Sequence, residues 1–117
     1  MTPAELRTRT KRFAVDVVSL CRELPTTFDG REMGRQLLRA ATSVAGNYRA
    51  TCRARSRAEF VAKLGTVLEE SDESLFWLEL VVESKMKPLT RVEALMKEAD
   101  QLTAIFAASL KTAKRQP

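Results

Sequence analysis

Apolar residues recur along this chain at spacings of three and four, in four blocks. The first holds Leu6, Phe13, Val17, Leu20 and Leu24, with Thr10 filling its one gap; the second holds Leu37, Ala41, Val44, Tyr48 and Cys52. The third runs Val61, Leu64, Leu68, Ser71, Leu75, Leu78, Val82, and the fourth Val92, Leu95, Ala99, Leu102, Phe106, Ser109, Ala113. Residues three or four apart share one side of an α-helix, so each block predicts an amphipathic helix. No useful length alternates with period two, and no strand is expected.

The boundaries follow from local chemistry. A small polar residue with Glu three positions on occurs as Thr2 and Glu5, Asp29 and Glu32, Ser56 and Glu59, and Thr90 and Glu93. Such a side chain caps the free N–H groups of a first turn, and the Glu charge suits the positive helix end. Pro3 fits a first helical position, Pro25 forces Leu24 out of helical geometry, and Pro88 bars continuation. Phe28 and Met33 are spaced to staple the second start. The predicted helices cover about 3–24, 30–53, 57–84 and 91–113, with 114–117 a frayed basic tail. Short connections make neighbours antiparallel. The expected fold is therefore all-α, a single up-down-up-down four-helix bundle spanning 1–117.

Three features go beyond the seams. Ala40, Ala41, Ala45 and Gly46 predict a close neighbour along the second helix, since a glycine inside a helix costs about 1 kcal/mol relative to alanine. Asn47, beside that stripe, is expected as a buried polar residue that fixes register; an ordinary exposed position is the alternative. The third helix adds Phe76, Trp77, Leu80 and Val81 outside its seam. Part of this group can pack within the subunit; the remainder predicts an oligomer interface.

At 117 residues, 44% hydrophobic and 30% charged, the chain has the balance of one ordered domain. Its longest uncharged run, 101–110, is half the roughly twenty residues that cross a bilayer. Asp16 and Arg22 interrupt the apolar run near the N-terminus, so no secretory signal is read, and the cytoplasm is the expected compartment. Cys21 and Cys52 are expected as small core residues rather than a disulfide.

Charge is unevenly placed. Residues 31–63 carry eight basic and two acidic groups, and residues 64–84 carry six acidic and no basic ones. Nucleic-acid contact, or like molecules meeting positive flank to negative flank, would each explain this. Histidine is absent from the sequence. With it go the commonest general base and the commonest metal ligand. Two distant cysteines make no zinc spacing, and no phosphate loop or nucleophile elbow occurs. No catalytic, cofactor or metal site is expected, and the chain is read as not an enzyme. The carboxylates at 69, 70, 72 and 73 read as a solvated or salt-bridged face.

Arg31, Arg35 and Arg39 form one ridge at spacing four, while Arg49, Arg53, Arg55, Arg57 and Lys63 crowd the corner between the second and third helices. Such cations can grip phosphates. They can equally pair with Glu69, Glu70 and Glu73 on a neighbouring helix or subunit.

The segments RAATSVAGNYR (39–49), RSRAEF (55–60) and EESDESLFWLEL (69–80) resemble the signature of the proteins first noticed in intervening sequences of bacterial ribosomal RNA genes. The likeness spans about 13–110. It departs at Tyr48, where Ile is usual, and at Arg49-Ala50, where Ala-Glu is usual. The resemblance implies an antiparallel four-helix bundle, often a ring-like homopentamer. A related branch, the accessory variability proteins of diversity-generating retroelements, binds nucleic acid and a reverse transcriptase through a basic surface. The expectation is thus a homo-oligomeric adaptor or scaffold that contacts RNA or DNA. The alternative is a structural or protein-partner module whose arginines serve subunit contacts alone.

Overall fold

The computed structural model describes residues 1–116. Four helices follow in order: α1 (Pro3–Cys21), α2 (Phe28–Thr51), α3 (Arg57–Glu83) and α4 (Leu89–Arg115). They form a rod of 49 × 21 × 20 Å, and no strand occurs among the described residues. The extension of α4 to Arg115 absorbs most of the expected frayed tail; Pro117 lies outside the described residues.

Cross-helix pairs fix the direction of each helix. Arg9 meets Glu98 while Glu23 meets Arg91, so α1 and α4 run opposite ways. Arg39 meets Glu70 and Glu73, and the Ser84 hydroxyl faces the Met33 sulfur, which sets α2 against α3. Ser71 bonds Thr103 at 2.8 Å and Arg57 reaches the Ala113 carbonyl, which does the same for α3 and α4. The bundle is antiparallel throughout.

Two of the four expected starts hold. Thr2 Oγ1 accepts from the Glu5 N–H and Ser56 Oγ from the Glu59 N–H, each at 3.1 Å. The second helix starts earlier than expected, because Thr27 takes the cap. Its hydroxyl accepts from the Gly30 N–H at 3.2 Å, and Asp29 falls into the first turn, where its carboxylate suits the positive end. Phe28 thereby becomes the first helical residue, 89% exposed, and no staple to Met33 forms. The fourth helix starts at Leu89 behind Pro88, not behind Thr90, since extended Pro88 leads straight into the first turn. The end of α3 is a Schellman turn. Lys85 adopts φ 65°, with the Met86 N–H on the Val81 carbonyl at 3.0 Å and the Lys85 N–H on that of Val82 at 2.9 Å.

The core runs the length of the rod through Phe13, Val17, Leu20, Leu37, Val44, Leu64, Val67, Leu78, Val81, Val92, Leu102 and Phe106. On α3 the buried line is Leu64, Val67, Ser71, Ser74, Leu78, Val81. Leu68, Leu75 and Val82, expected on the seam, are only half-buried along its flank. Small serines at the centre let neighbouring helices approach while the leucines straddle the sides. Both serines are satisfied, Ser71 by Thr103 and Ser74 by the Glu70 carbonyl at 2.8 Å, so their burial carries no unpaired group.

Candidate nucleic-acid interface

The antiparallel packing divides the candidate cations into two groups. Arg39 is turned onto α3, where its guanidinium holds Glu70 at 3.1 Å and Glu73; Glu73 also accepts from the Trp77 indole at 3.2 Å. Arg35 pairs with Glu32 one turn back at 2.7 Å, and this hydrogen bond raises the Arg35 pKa and lowers that of Glu32. Arg31 is exposed, near the start of the helix, without a carboxylate partner among the described residues. The predicted ridge is thus two-thirds neutralised by the protein's own acids.

The other group behaves differently. Arg49, Arg53 and Arg55 are exposed and Lys63 is half-buried, and none has an ion-pair partner among the described residues. Arg57 donates to the Ala113 carbonyl and ties the corner to the end of α4. Because α1 runs antiparallel to α2, its first turns lie beside the last turns of α2. Arg7 and Lys11 thereby join the cluster, two residues that the sequence reading left out. With Arg49 and Arg53 they border a groove of about 700 Å³ between α1 and α2. A second groove of about 390 Å³ continues from Arg49 and Arg53 across to Arg55 and Lys63, with Glu59 at its border. Arg7 and Lys11, four apart on α1 and so about 6 Å apart along its axis, make a short row of charge, which faces Arg49 in the last turn of α2 and Arg53 just past its end.

Gly46 lies in both grooves. A Cβ built there would meet nothing within 4 Å, so the glycine does not serve the close helix approach expected from the sequence. It leaves a bare stretch of helix open to the outside. Asn47 is half-buried, and its Nδ2 donates to the Ser43 carbonyl of its own helix at 2.9 Å. It bonds within its own turn instead of fixing register between helices.

The aromatic group on α3 also divides. Phe76 is 52% exposed and packs edge-on against Trp77, with centroids 5.1 Å apart; Trp77 and Leu80 are half-buried. Val81 has no exposure at all, because the seam passes through it, and it belongs to the core rather than to any interface.

Both cysteines are free. Cys21 is half-buried, and burial pushes its thiol up to about 11. Cys52 is exposed, not a core residue, because α2 ends at Thr51 and the thiol lies past its last turn. Tyr48, tilted against Phe106 with ring centroids 5.5 Å apart, is pushed up to about 12 by burial and then by the Cys52 thiol beside it. Among the described residues no group of three or more His, Cys, Asp or Glu side chains comes together as a metal site. No helix is long and apolar enough to cross a membrane. What the basic end can do chemically is hold an anion.

Residues 4–108 match the model of the 23S rRNA-intervening sequence protein family, and the chain belongs to that family. A crystal structure at 1.70 Å resolution of a protein of unknown function from the S23 ribosomal protein family of Bacteroides thetaiotaomicron VPI-5482 is similar, with TM-score 0.87 and 28% identity. The match covers 95% of this chain and 99% of that one. None of the curated proteins compared with the chain matches it.

Proposed function

We propose that the chain is a non-enzymatic, homo-oligomeric scaffold that holds RNA or DNA by its phosphate backbone at the basic end of the bundle. One observation carries the reading. Arg7, Lys11, Arg49 and Arg53 surround an open groove with no carboxylate partner among the described residues, while Arg9, Arg35, Arg39 and Arg91 are all paired. Cations left unpaired in this way attract a polyanion at little cost, since no internal ion pair has to be broken first. The free thiols fit a reducing compartment, and the cytoplasm is part of this reading. Family resemblance favours five subunits.

Titrating a labelled duplex against the protein at several salt concentrations tests it. Affinity should fall with a log–log slope of about −0.9 per phosphate contact on duplex DNA. Arg49→Gln with Arg53→Gln should flatten the slope by about two contacts, and Arg35→Gln with Arg39→Gln should leave it as it is. Absence of binding at low salt would overturn the nucleic-acid reading. It would favour the second one, a protein-partner module, for which the observation is Phe76 exposed among Glu69, Asp72 and Glu79, which have no cation partner among the described residues.

A further inference from the structure

Phe76 does not stand alone. Glu69, Asp72, Phe76 and Glu79 follow at spacings of three and four and are all exposed, so they make one outward stripe of α3. None of these carboxylates has a cation partner among the described residues, in contrast to Glu70 and Glu73, which Arg39 neutralises. Trp77 backs the Phe76 ring edge-on, and the Glu73 carboxylate holds the indole in turn. The result is a braced aromatic knob flanked by unspent negative charge.

Its complement lies on the opposite kind of surface. Between α1 and α2, in the half away from the basic end, is a groove of about 480 Å³. Val18, Cys21, Gly34 and Leu38 give it an apolar lining, which they share with Thr26, with Arg35 that Glu32 holds, and with Arg22 and Arg31. The last two arginines are exposed and lack a carboxylate partner among the described residues. An apolar groove with cations at its edge suits an aromatic residue with carboxylates beside it. It suits a phosphate backbone less well than the basic end does, because its third arginine, Arg35, is already paired with Glu32.

We infer that the occupant is a second copy of this chain, whose Phe76 stripe seats in the α1–α2 groove with its carboxylates against Arg22 and Arg31. The inference rests on the reading that the chain is homo-oligomeric and adds which two surfaces meet. They are different surfaces, so the contact is head-to-tail: every copy keeps one knob and one groove, and the assembly closes into a ring where the rotation permits. The basic end stays outside this contact, so nucleic acid and a second copy do not compete for the same arginines.

A mixing experiment tests it by light scattering at micromolar concentration. The intact protein should exceed the 13.1 kDa of one chain. A knob variant, Phe76→Ser with Glu79→Lys, and a groove variant, Arg22→Glu with Arg31→Glu, should each fall to the single-chain mass with helicity unchanged. Mixed one to one, they should double that mass and stop, because only one competent knob and one competent groove remain between them. If either variant keeps the full assembly, or the mixture stays at single-chain mass, the pairing of these two surfaces is wrong while the oligomer stands. If the intact protein is itself a single chain, the oligomer reading falls with it. Where a variant loses helicity, the milder Phe76→Ala and Arg31→Gln are read by the same masses.

Discussion

The two ends of the rod are built from the same kinds of residue and put them to opposite use. At one end Glu23, just past the end of α1, holds both Arg91 in the first turn of α4 and Lys87 just before it, and Gly30 is packed hard against the chain at Pro25. At the other end Arg7, Lys11, Arg49 and Arg53 face an open groove with no carboxylate partner among the described residues, and a Cβ at Gly46 would meet nothing within 4 Å. A cation or a glycine is therefore not informative by its identity. What separates structure from function here is whether the protein itself supplies the partner.

The glycines give the largest contrast. A Cβ at Gly30 would lie 2.1 Å from the Pro25 carbonyl oxygen, a backbone atom that cannot swing aside. Gly30→Ala should therefore cost about 1–3 kcal/mol through overpacking. Gly46→Ala should do the reverse and stabilise by about 0.5–1 kcal/mol, because an open helical position loses only the excess flexibility of glycine. Urea unfolding of the two variants measures both. The same sign for both would mean that the ends do not differ as described. If Gly46→Ala also weakens duplex binding while raising stability, the bare helix serves the ligand.

Much of this was legible in the sequence, and the limits have physical causes. Helix number and order followed from periodicity, since Leu64, Ser71 and Leu78 lie on the buried line of α3 under either of two adjacent seams. Choosing between those seams required knowing that Ser74 could bond the Glu70 carbonyl and so be buried, which hydrophobicity alone does not disclose. The α2 start is ambiguous in the sequence because Thr27 and Asp29 are both good caps, and the chain leaving Pro25 reaches Thr27 first. The split among the arginines was legible only as two open alternatives. Pairing depends on which helix Arg39 faces, and the contribution of Arg7 and Lys11 depends on the antiparallel neighbour.

Lys85 tests the tightly built end from its connection. It holds φ 65°, a conformation that costs a residue with a Cβ about 1–2 kcal/mol. Glycine avoids that cost but loses about 0.5–1 kcal/mol more backbone entropy on folding. Lys85→Gly should therefore raise stability by about 0.5–1 kcal/mol, visible as a higher urea midpoint at unchanged slope. No gain would mean that the turn relaxes at no cost in the native protein.

Smaller still is the difference between arginines at the two ends. Arg39→Gln removes a pair of partly exposed ion pairs to α3 and should cost about 0.2–1 kcal/mol, decreasing with added salt. Arg53→Gln removes a cation with no partner among the described residues and should leave stability unchanged while weakening duplex binding. An equal loss from both would show that the corner arginines also serve the fold.

The finest test is the pH dependence carried by Glu23. The hydrogen bonds from Arg91, and next from Lys87, pull its carboxyl down to about 2 from an ordinary value of 4.5. A carboxyl whose pKa is lower folded than unfolded binds more protons in the unfolded chain, so stability rises with pH across the interval between the two values. The stabilisation is fully present above about pH 4.5 and is lost as pH falls toward 2. Because the group is solvent-exposed, the effect is a small one that salt screens. Glu23→Gln should therefore lower the melting temperature slightly near neutral pH, and the gap to the intact protein should close between pH 4.5 and 2. A gap that persisted unchanged to pH 2 would show that Glu23 contributes by packing rather than by charge. The tie between α1 and α4 would then have to be sought in Arg9 and Glu98, which meet at 2.7 Å further along the same two helices.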